Sequence, residues 1–304
     1  MSTKNLEHYA GIDIGGTNVK YGLFDSTGKV LYRDQKPAFV EKGAKPLLHL
    51  ITNIAENLLI RAADDDLSIN WLGVGSPGTI DHTIGMVKGK CPNIPDWVGT
   101  KIGPHLKEHL NMAVFVDNDA NAMALAELRF GAARRFNSAL CITVGTGIGG
   151  GVIINKSLWR GSNFSAGEVG HIVIDINGVN CPCGNQGCLE AYCASEAMLK
   201  RARGKMKNSL SETLSDLLDG NIDNLSIKKL FAAAKKGDEI SLEVIDETAT
   251  ILGAGLSGVV NILNPDALIF GGGIAEGGAG FIEAVGAEIR RRAFPAASEN
   301  LRVV

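Results

Sequence analysis

The chain contains 304 residues, a length that suits two domains better than a single hydrophobic core. A hydrophobic content of 45% and a charged content of 21% are typical of globular proteins, and a net charge of −3 gives no basic surface for nucleic acid. The residues before Tyr9 are polar and lack the apolar stretch of a secretory signal, and no apolar run reaches the roughly 20 residues of a bilayer span. Three of the six cysteines fall within eight residues, which favours metal binding in a reducing compartment. We therefore expect a cytoplasmic protein with no nucleic-acid or membrane partner.

The first part of the chain predicts an α/β domain. Short apolar or alternating segments separated by glycine-containing turns indicate strands, and a longer segment with an apolar face from Leu47 to Leu58 indicates a helix. The predicted elements are strands at 9–14, 19–24 and 30–32, a helix at 45–62, strands at 71–75 and 114–116, and a helix at 120–130.

The opening pattern recurs in the second half of the chain. Residues 139–144 predict a strand, 145–147 a turn and 150–154 a returning strand, and 197–248 is mostly helical. The two copies share architecture and little identity. We expect two α/β domains, 1–117 and 118–304, that face each other across a cleft.

The first glycine turn is a candidate phosphate site. In Asp13-Ile14-Gly15-Gly16-Thr17-Asn18, adjacent glycines let backbone N–H groups point at an anion, and the Thr17 hydroxyl can donate to a phosphate oxygen. Asp13 could hold Mg²⁺ through water. A plain glycine hairpin would have the same sequence, so this motif alone leaves both interpretations open.

Two further glycine clusters follow. Gly145 to Gly150 matches the spacing of a dinucleotide fingerprint, but that fingerprint must open a helix, and the following residues predict a strand. A second hairpin that faces the first explains the pattern better. Gly271-Gly272-Gly273 follows an apolar run, where backbone can lie against a ring or a ribose; a tight strand-to-helix turn is the alternative.

A polar junction between a predicted strand and a helix supplies a candidate base. Asp117-Asn118-Asp119-Ala120-Asn121 places two carboxylates and two carboxamides there. Capping of the helix accounts for one of them. A carboxylate at a helix N-terminus is stabilised in its ionised form and can accept a proton. A modest basicity would be enough for phosphoryl transfer, because that reaction depends chiefly on position and charge neutralisation.

The most specific motif is a cysteine cluster with a histidine ten residues upstream. His171, Cys181, Cys183 and Cys188 form the His-Cys₃ set of a closed tetrahedral zinc site. Four protein ligands leave no open position, so the zinc is expected to be structural. Glu168 and Glu190 flank the motif and suit the hydroxyls of a polyhydroxylated ligand; a surface role is the alternative.

Together these segments resemble the ROK family of sugar kinases and repressors, and its bacterial glucokinase branch in particular, from Gly11 to about Ile274. The resemblance implies an actin-like ATPase fold, α/β in class, with two ribonuclease-H-like domains flanking a cleft. It makes Asp119 the catalytic base. It assigns sugar contacts to Gly78, Asn93, Asn118, Asp119, Glu168, His171 and Glu190.

The same resemblance implies ATP, Mg²⁺ and a structural Zn²⁺ as cofactors, and a homodimer or homotetramer. The reaction would be ATP-dependent phosphorylation of a hexose, glucose first, at the C6 hydroxyl. The residues assigned to the nucleotide and its phosphates are Asp13, Gly15, Gly16, Thr17, Asn18, Lys20, Thr146, Gly147, Gly271, Gly272 and Gly273.

Two alternatives stay open. The substrate could be N-acetylmannosamine, fructose, mannose or allose, or the donor polyphosphate, because selectivity depends on pocket shape. A sugar-sensing repressor is the other alternative, and it predicts an N-terminal helix-turn-helix, for which the few residues before Asp13 leave no room. Family members also continue into a Gly/Ala-rich terminal helix that returns to the first domain, whereas this sequence ends at Val304.

Overall fold

The computed structural model of the chain describes residues 6–89, 91–207 and 211–304. Contacts divide the chain into a first unit, Met1–Gly131 with Arg160–Ala166, and a second unit, Ala132–Trp159 with Gly167–Val304. Residues 118–131 therefore group with the strand that precedes them, and the main division falls after Gly131 instead of after Asp117.

The first unit contains one five-stranded sheet, a two-stranded ribbon and three helices among its described residues. The sheet has the order β3-β2-β1-β4-β7, with antiparallel pairing from β3 to β1 and parallel pairing from β1 to β7. The elements are β1 His8–Ile14, β2 Asn18–Asp25, β3 Val30–Pro37, α1 Ala44–Asp64, β4 Ile69–Ser76, β5 Ile80–Asp81, β6 Met86–Val87, α2 Ile102–Leu110, β7 Val114–Asn118 and α3 Asp119–Arg129.

Alternation along the strands gives this sheet one apolar face. Ile12, Val74 and Val116 are neighbours across β1, β4 and β7, and all three are buried. The apolar face of α1, which includes Leu47 and Leu58, belongs to the same core. The predicted helix at 45–62 and the predicted strands of this unit are thereby confirmed, with boundaries that differ by a few residues.

The second unit contains another five-stranded sheet and seven helices among its described residues. Its order is β10-β9-β8-β11-β12, with antiparallel pairing from β10 to β8 and parallel pairing from β8 to β12. The elements are β8 Ala139–Val144, β9 Ile148–Ile154, β10 Ser157–Trp159, α4 Glu190–Cys193, α5 Ser195–Met206, α6 Glu212–Leu217, α7 Ile227–Lys235, α8 Glu239–Leu263, β11 Ala267–Gly271, α9 Ala279–Arg292, α10 Pro295–Ser298 and β12 Arg302–Val303.

The two sheets have the same strand order and the same pattern of pairing directions. The repeat that the sequence predicted is therefore confirmed. In the second unit the glycine turn after Val144 leads back along the sheet as β9, antiparallel to β8, so the dinucleotide fingerprint is rightly rejected. No helix within the described ranges is long and apolar enough to cross a membrane.

The long helix α8 allows a test of the second core. Leu256 is fully buried in it, whereas Leu242 on the same helix is 47% exposed. We expect Leu256→Ala to lower the free energy of unfolding by about 2–5 kcal/mol, because it leaves a cavity among packed side chains. Leu242→Ala is the matched control and should cost much less. Urea titration followed by circular dichroism measures both, and equal losses would contradict this assignment of the core.

Candidate active site

The candidate base lies where three parallel strands of the first unit end. Asp13 on β1 pairs with Gly75 on β4, and Gly75 pairs with Asp117 on β7. Parallel strands end at the same edge of a sheet, and in open α/β sheets that edge is where ligands bind. The register thus brings Asp13, Asp117 and the start of α3 together.

Gly75 makes room for this arrangement. A Cβ at position 75 would lie 3.4 Å from Asp13 Oδ1 and 3.5 Å from the Cα of Asp119. The first turn of α3 therefore packs directly over the end of β4. The sequence shows Gly75 only as part of a short strand, and nothing in the motif indicates this contact.

The polar side chains at the β7–α3 junction have separate partners. Asp117 Oδ2 accepts hydrogen bonds from Arg160 Nε at 2.9 Å and Nη2 at 2.6 Å. Asn118 caps α3, since its Oδ1 accepts from the backbone N–H of Asn121 at 3.1 Å. Asp119 lies in the first turn of α3, is exposed, and accepts from the N–H of Ala120 at 2.9 Å. Helix capping thus uses Asn118, and Asp119 presents its carboxylate at the strand edge.

The predicted sugar contacts of the first unit surround this junction. Asn118 Nδ2 donates to the carbonyl of Gly78 at 3.2 Å, and Gly78 has a φ of 89°, which strongly favours glycine. A Cβ at Gly78 would lie 3.4 Å from that of Cys91. Burial raises the pKa of the Cys91 thiol, and the charge of Asp119 adds to the rise, whereas a backbone hydrogen bond from Asn93 opposes it. Gly78, Asn93, Asn118 and Asp119 are therefore neighbours.

The first glycine hairpin lies at the same edge. Gly15 N–H donates to the carbonyl of Asn18 at 3.0 Å, and Thr17 is exposed between β1 and β2. Lys20 is the cross-strand partner of Asp13. Asp13 keeps solvent contact, yet partial burial of its carboxyl raises the pKa, and Lys20 opposes that rise. A carboxylate and an ammonium group thus flank a glycine turn.

In the second unit, the hairpin between β8 and β9 is fixed by the segment that follows the cysteines. Glu190 Oε2 accepts from the N–H of Ile148 at 2.7 Å, and Ser195 donates through Oγ and through its N–H to the carbonyl of Gly145, both at 2.8 Å. A Cβ at Gly147 would lie 2.6 Å from Glu190 Oε2, so the glycine at this position leaves room for the carboxylate. Glu190, which is predicted to bind the sugar, therefore contacts the loop that is predicted to bind phosphate.

The third glycine cluster borders the same hairpin. Gly272, with a φ of 90°, lies so close to β8 that a Cβ would be 2.7 Å from the carbonyl of Val144. That carbonyl also accepts from the N–H of Ile274 at 3.0 Å. Gly271 pairs with Thr143 of β8, and Thr146 in the hairpin after β8 is exposed. The predicted nucleotide residues of this unit therefore form one glycine-rich edge.

The four predicted metal ligands converge. Their donor atoms lie within 4.8 Å of one another, with 3.8 Å from Cys181 Sγ to His171 Nδ1 and 3.8 Å from Cys183 Sγ to Cys188 Sγ. Two thiolates on a tetrahedral zinc with bonds of about 2.3 Å lie roughly 3.7 Å apart, so the geometry and the donor types fit zinc.

The other nitrogen of His171 faces a carboxylate. Its Nε2 lies 3.9 Å from Glu168 Oε2, too far for a direct hydrogen bond. Burial raises the pKa of the Glu168 carboxyl, Glu190 raises it further, and His171 lowers it. Glu168, His171 and Glu190 therefore form one cluster beside the cysteines.

Sequence patterns missed three residues that shape these sites. Gly75 leaves room for α3 above the end of β4, and Arg160 holds the Asp117 carboxylate. Ser195 holds the carbonyl of Gly145 in the second hairpin.

Comparison with known proteins gives a consistent result. The model of the ROK family matches residues 9–304. A glucokinase from Thermotoga maritima is 37% identical over 268 residues, or 88% of this chain and 82% of its own length. A xylose repressor from Caldicellulosiruptor bescii is 30% identical over 300 residues, or 99% of this chain and 74% of its own length.

A solved structure also superimposes closely. The ROK family glucokinase from Streptomyces griseus, in complex with glucose and AMPPNP, is 30% identical with a TM-score of 0.87, covering 97% of this chain and 93% of its own. The chain therefore belongs to the ROK family. Its two sheets of shared order are the halves of the actin-like ATPase fold, as the family resemblance implied.

The cap at the β7–α3 junction is testable. Asn118→Ala removes the acceptor for the Asn121 N–H and should lower the free energy of unfolding by about 1 kcal/mol. Asn118→Ser keeps a capping oxygen and should retain most of that free energy. Thermal unfolding compares the two variants, and equal losses in both would show that the cap does not stabilise α3.

Proposed function

We propose that the protein transfers the γ-phosphoryl group of ATP to the C6 hydroxyl of a hexose, with glucose as the preferred substrate. The observation that carries this proposal is the place of Asp119. It is an exposed carboxylate in the first turn of α3, beside Gly78 and the Cys91–Asn93 segment. The glucokinases among the relatives support the reaction class.

In this proposal Asp119 accepts the proton of the C6 hydroxyl. The sugar oxygen then forms a bond to the γ-phosphorus as the bond to the β,γ-bridging oxygen breaks, and ADP leaves. The helix N-terminus stabilises the carboxylate in its charged form. Asn118 would hold one sugar hydroxyl, because the cap and the Gly78 carbonyl fix its amide plane.

The second unit has its own candidate hydroxyl ligands. Glu168 and Glu190 would accept hydrogen bonds from the sugar, and His171 would donate through Nε2 while its Nδ1 faces the cysteines. A site built to satisfy hydroxyls discriminates against analogues that lack them, because unpaired buried polar groups are costly.

The glycine turns are proposed to hold ATP. Thr17 and Thr146 are exposed on the two hairpins and can donate to phosphate oxygens, and the turn at Gly271–Gly273 would accept the adenosine. Bound Mg²⁺ would offset the charge that develops on the phosphates, and Asp13 is the candidate to hold it through water.

A second candidate function is a sugar-responsive regulator, favoured by the 30% identity with a xylose repressor. Formation of hexose phosphate in a coupled assay, tested with a panel of hexoses and with ATP or polyphosphate as donor, separates the two. Sequence-specific DNA retention without turnover would favour the regulator. The cytoplasmic location stays a prediction. Assembly into a homodimer or homotetramer also stays a prediction, and the molar mass from light scattering would test it.

The base is tested by Asp119→Asn. We expect turnover to fall by roughly 10²-fold or more while sugar affinity is kept, because the amide keeps the shape and cannot accept the proton. Initial rates and glucose titration measure the two effects. Asp64→Asn, which alters an exposed carboxylate at the end of α1, is the control and should leave both unchanged. Near-normal turnover in Asp119→Asn would remove Asp119 from its role.

The metal is tested by elemental analysis. We expect about one zinc per chain, because the four donors satisfy a closed tetrahedral site. Cys183→Ser should lose the zinc and lower the unfolding temperature, whereas Cys91→Ser, outside the cluster, should keep it. A purified protein without bound zinc would refute the structural metal.

A further inference from the structure

A short segment of the chain joins the first unit although its sequence neighbours belong to the second. Arg160–Ala166 is that segment. Ser165 Oγ lies 3.1 Å from Thr79 Oγ1, and the ring of Phe164 packs edge-on against His82 with centroids 5.3 Å apart. The strongest tie is the pair of hydrogen bonds from Arg160 to Asp117 Oδ2. These contacts hold Arg160 at the β7–α3 junction.

The carboxylate that Arg160 grips also orders the backbone before the base. Asp117 Oδ1 accepts from the N–H of Asn118 at 2.8 Å and from Nδ2 of the buried Asn121 at 3.1 Å. With Oδ2 held by Arg160, both oxygens are fixed. The carboxylate therefore clamps the residue that precedes Asp119 and the Asn121 side chain in the first turn of α3.

Arg160 also balances charge near the base. Asp117 and Asp119 are two residues apart, and Asp13 reaches the same edge through Gly75. Lys20 faces Asp13, Cys91 is a neutral neighbour of Asp119, and Arg160 is paired with Asp117. The side chains of this pair are only 22% and 12% exposed, so solvent screens the pair less than it would a surface pair.

We propose that Arg160 is a positioning residue for the base, which orients the Asp119 carboxylate through Asp117 and offsets the charge of Asp117. This proposal rests on the proposed kinase activity. A displacement of the order of 1 Å at a reacting group can cost about 10²-fold in rate, which makes such a clamp consequential.

The test uses the full chain and four variants: Arg160→Gln, Arg160→Lys, the double variant Arg160→Gln with Asp117→Asn, and the control Ser165→Ala. The pH dependence of kcat/KM for glucose reports the groups that must be ionised in the free enzyme. Arg160→Gln should lower kcat about tenfold to hundredfold with KM for glucose nearly unchanged. Its acid limb should move to higher pH, because an unpaired Asp117 disfavours a second negative charge nearby.

The other variants separate charge from geometry. The double variant removes the unpaired charge, so its acid limb should return to the wild-type position although kcat stays low. Arg160→Lys keeps the charge but loses the two-point grip, so kcat should fall while the limb stays in place. Ser165→Ala is the matched control, since it frees the same segment without touching Asp117, and its limb should not move.

Three outcomes would overturn the proposal: a kcat for Arg160→Gln within twofold of wild type, an acid limb that does not move, or a limb that stays displaced in the double variant. If Arg160→Gln does not fold, an undiminished kcat in Arg160→Lys would refute the clamp. Failure of the proposed function is distinguishable, because the wild-type chain would then release no ADP with any hexose.

Discussion

Backbone pairing between three parallel strands determines where the first unit gathers its candidate catalytic groups. The register of β1, β4 and β7 aligns Ile12, Val74 and Val116 on the buried face of the sheet, and Asp13, Gly75 and Asp117 one position later on the other face. A slip of one residue would turn apolar side chains outward and carboxylates inward. The same hydrogen bonds therefore build the core and gather the polar groups at one edge, and α3 begins from that edge with Asp119 in its first turn.

Local signals in the sequence were sufficient for much of the fold and drew attention to several of the candidate residues. Apolar alternation around glycine turns predicted the paired hairpins, and the helical periodicity that begins near Leu47 predicted α1, because both patterns report contacts within a few residues. The spacing of Cys181, Cys183 and Cys188 predicted a metal cluster for the same reason. Convergence of those thiols with His171 agrees with the donor set that zinc requires.

The parts that sequence patterns did not predict depend on contacts between distant residues. Arg160 is an ordinary cation in the sequence, and its proposed role follows only from its approach to Asp117. The contact between Glu190 and Ile148 joins two motifs that the sequence treats separately. Residues 118–131 stay with the first unit because α3 packs over β4 at Gly75, a contact that periodicity does not report. These contacts arise from tertiary packing, and the spacing of motifs along the chain does not report them.

The contact between Glu190 and the hairpin at Gly147 also limits how this protein could be recombined with its relatives. Glu190 occupies the space that any larger side chain at position 147 would need, and Ser195 holds the carbonyl of Gly145 on the other side of the turn. A chimera that takes the 145–149 loop from a relative without its 188–195 segment would combine two segments whose contacting side chains do not fit each other. The two stretches, some forty positions apart in the chain, form a single exchangeable module.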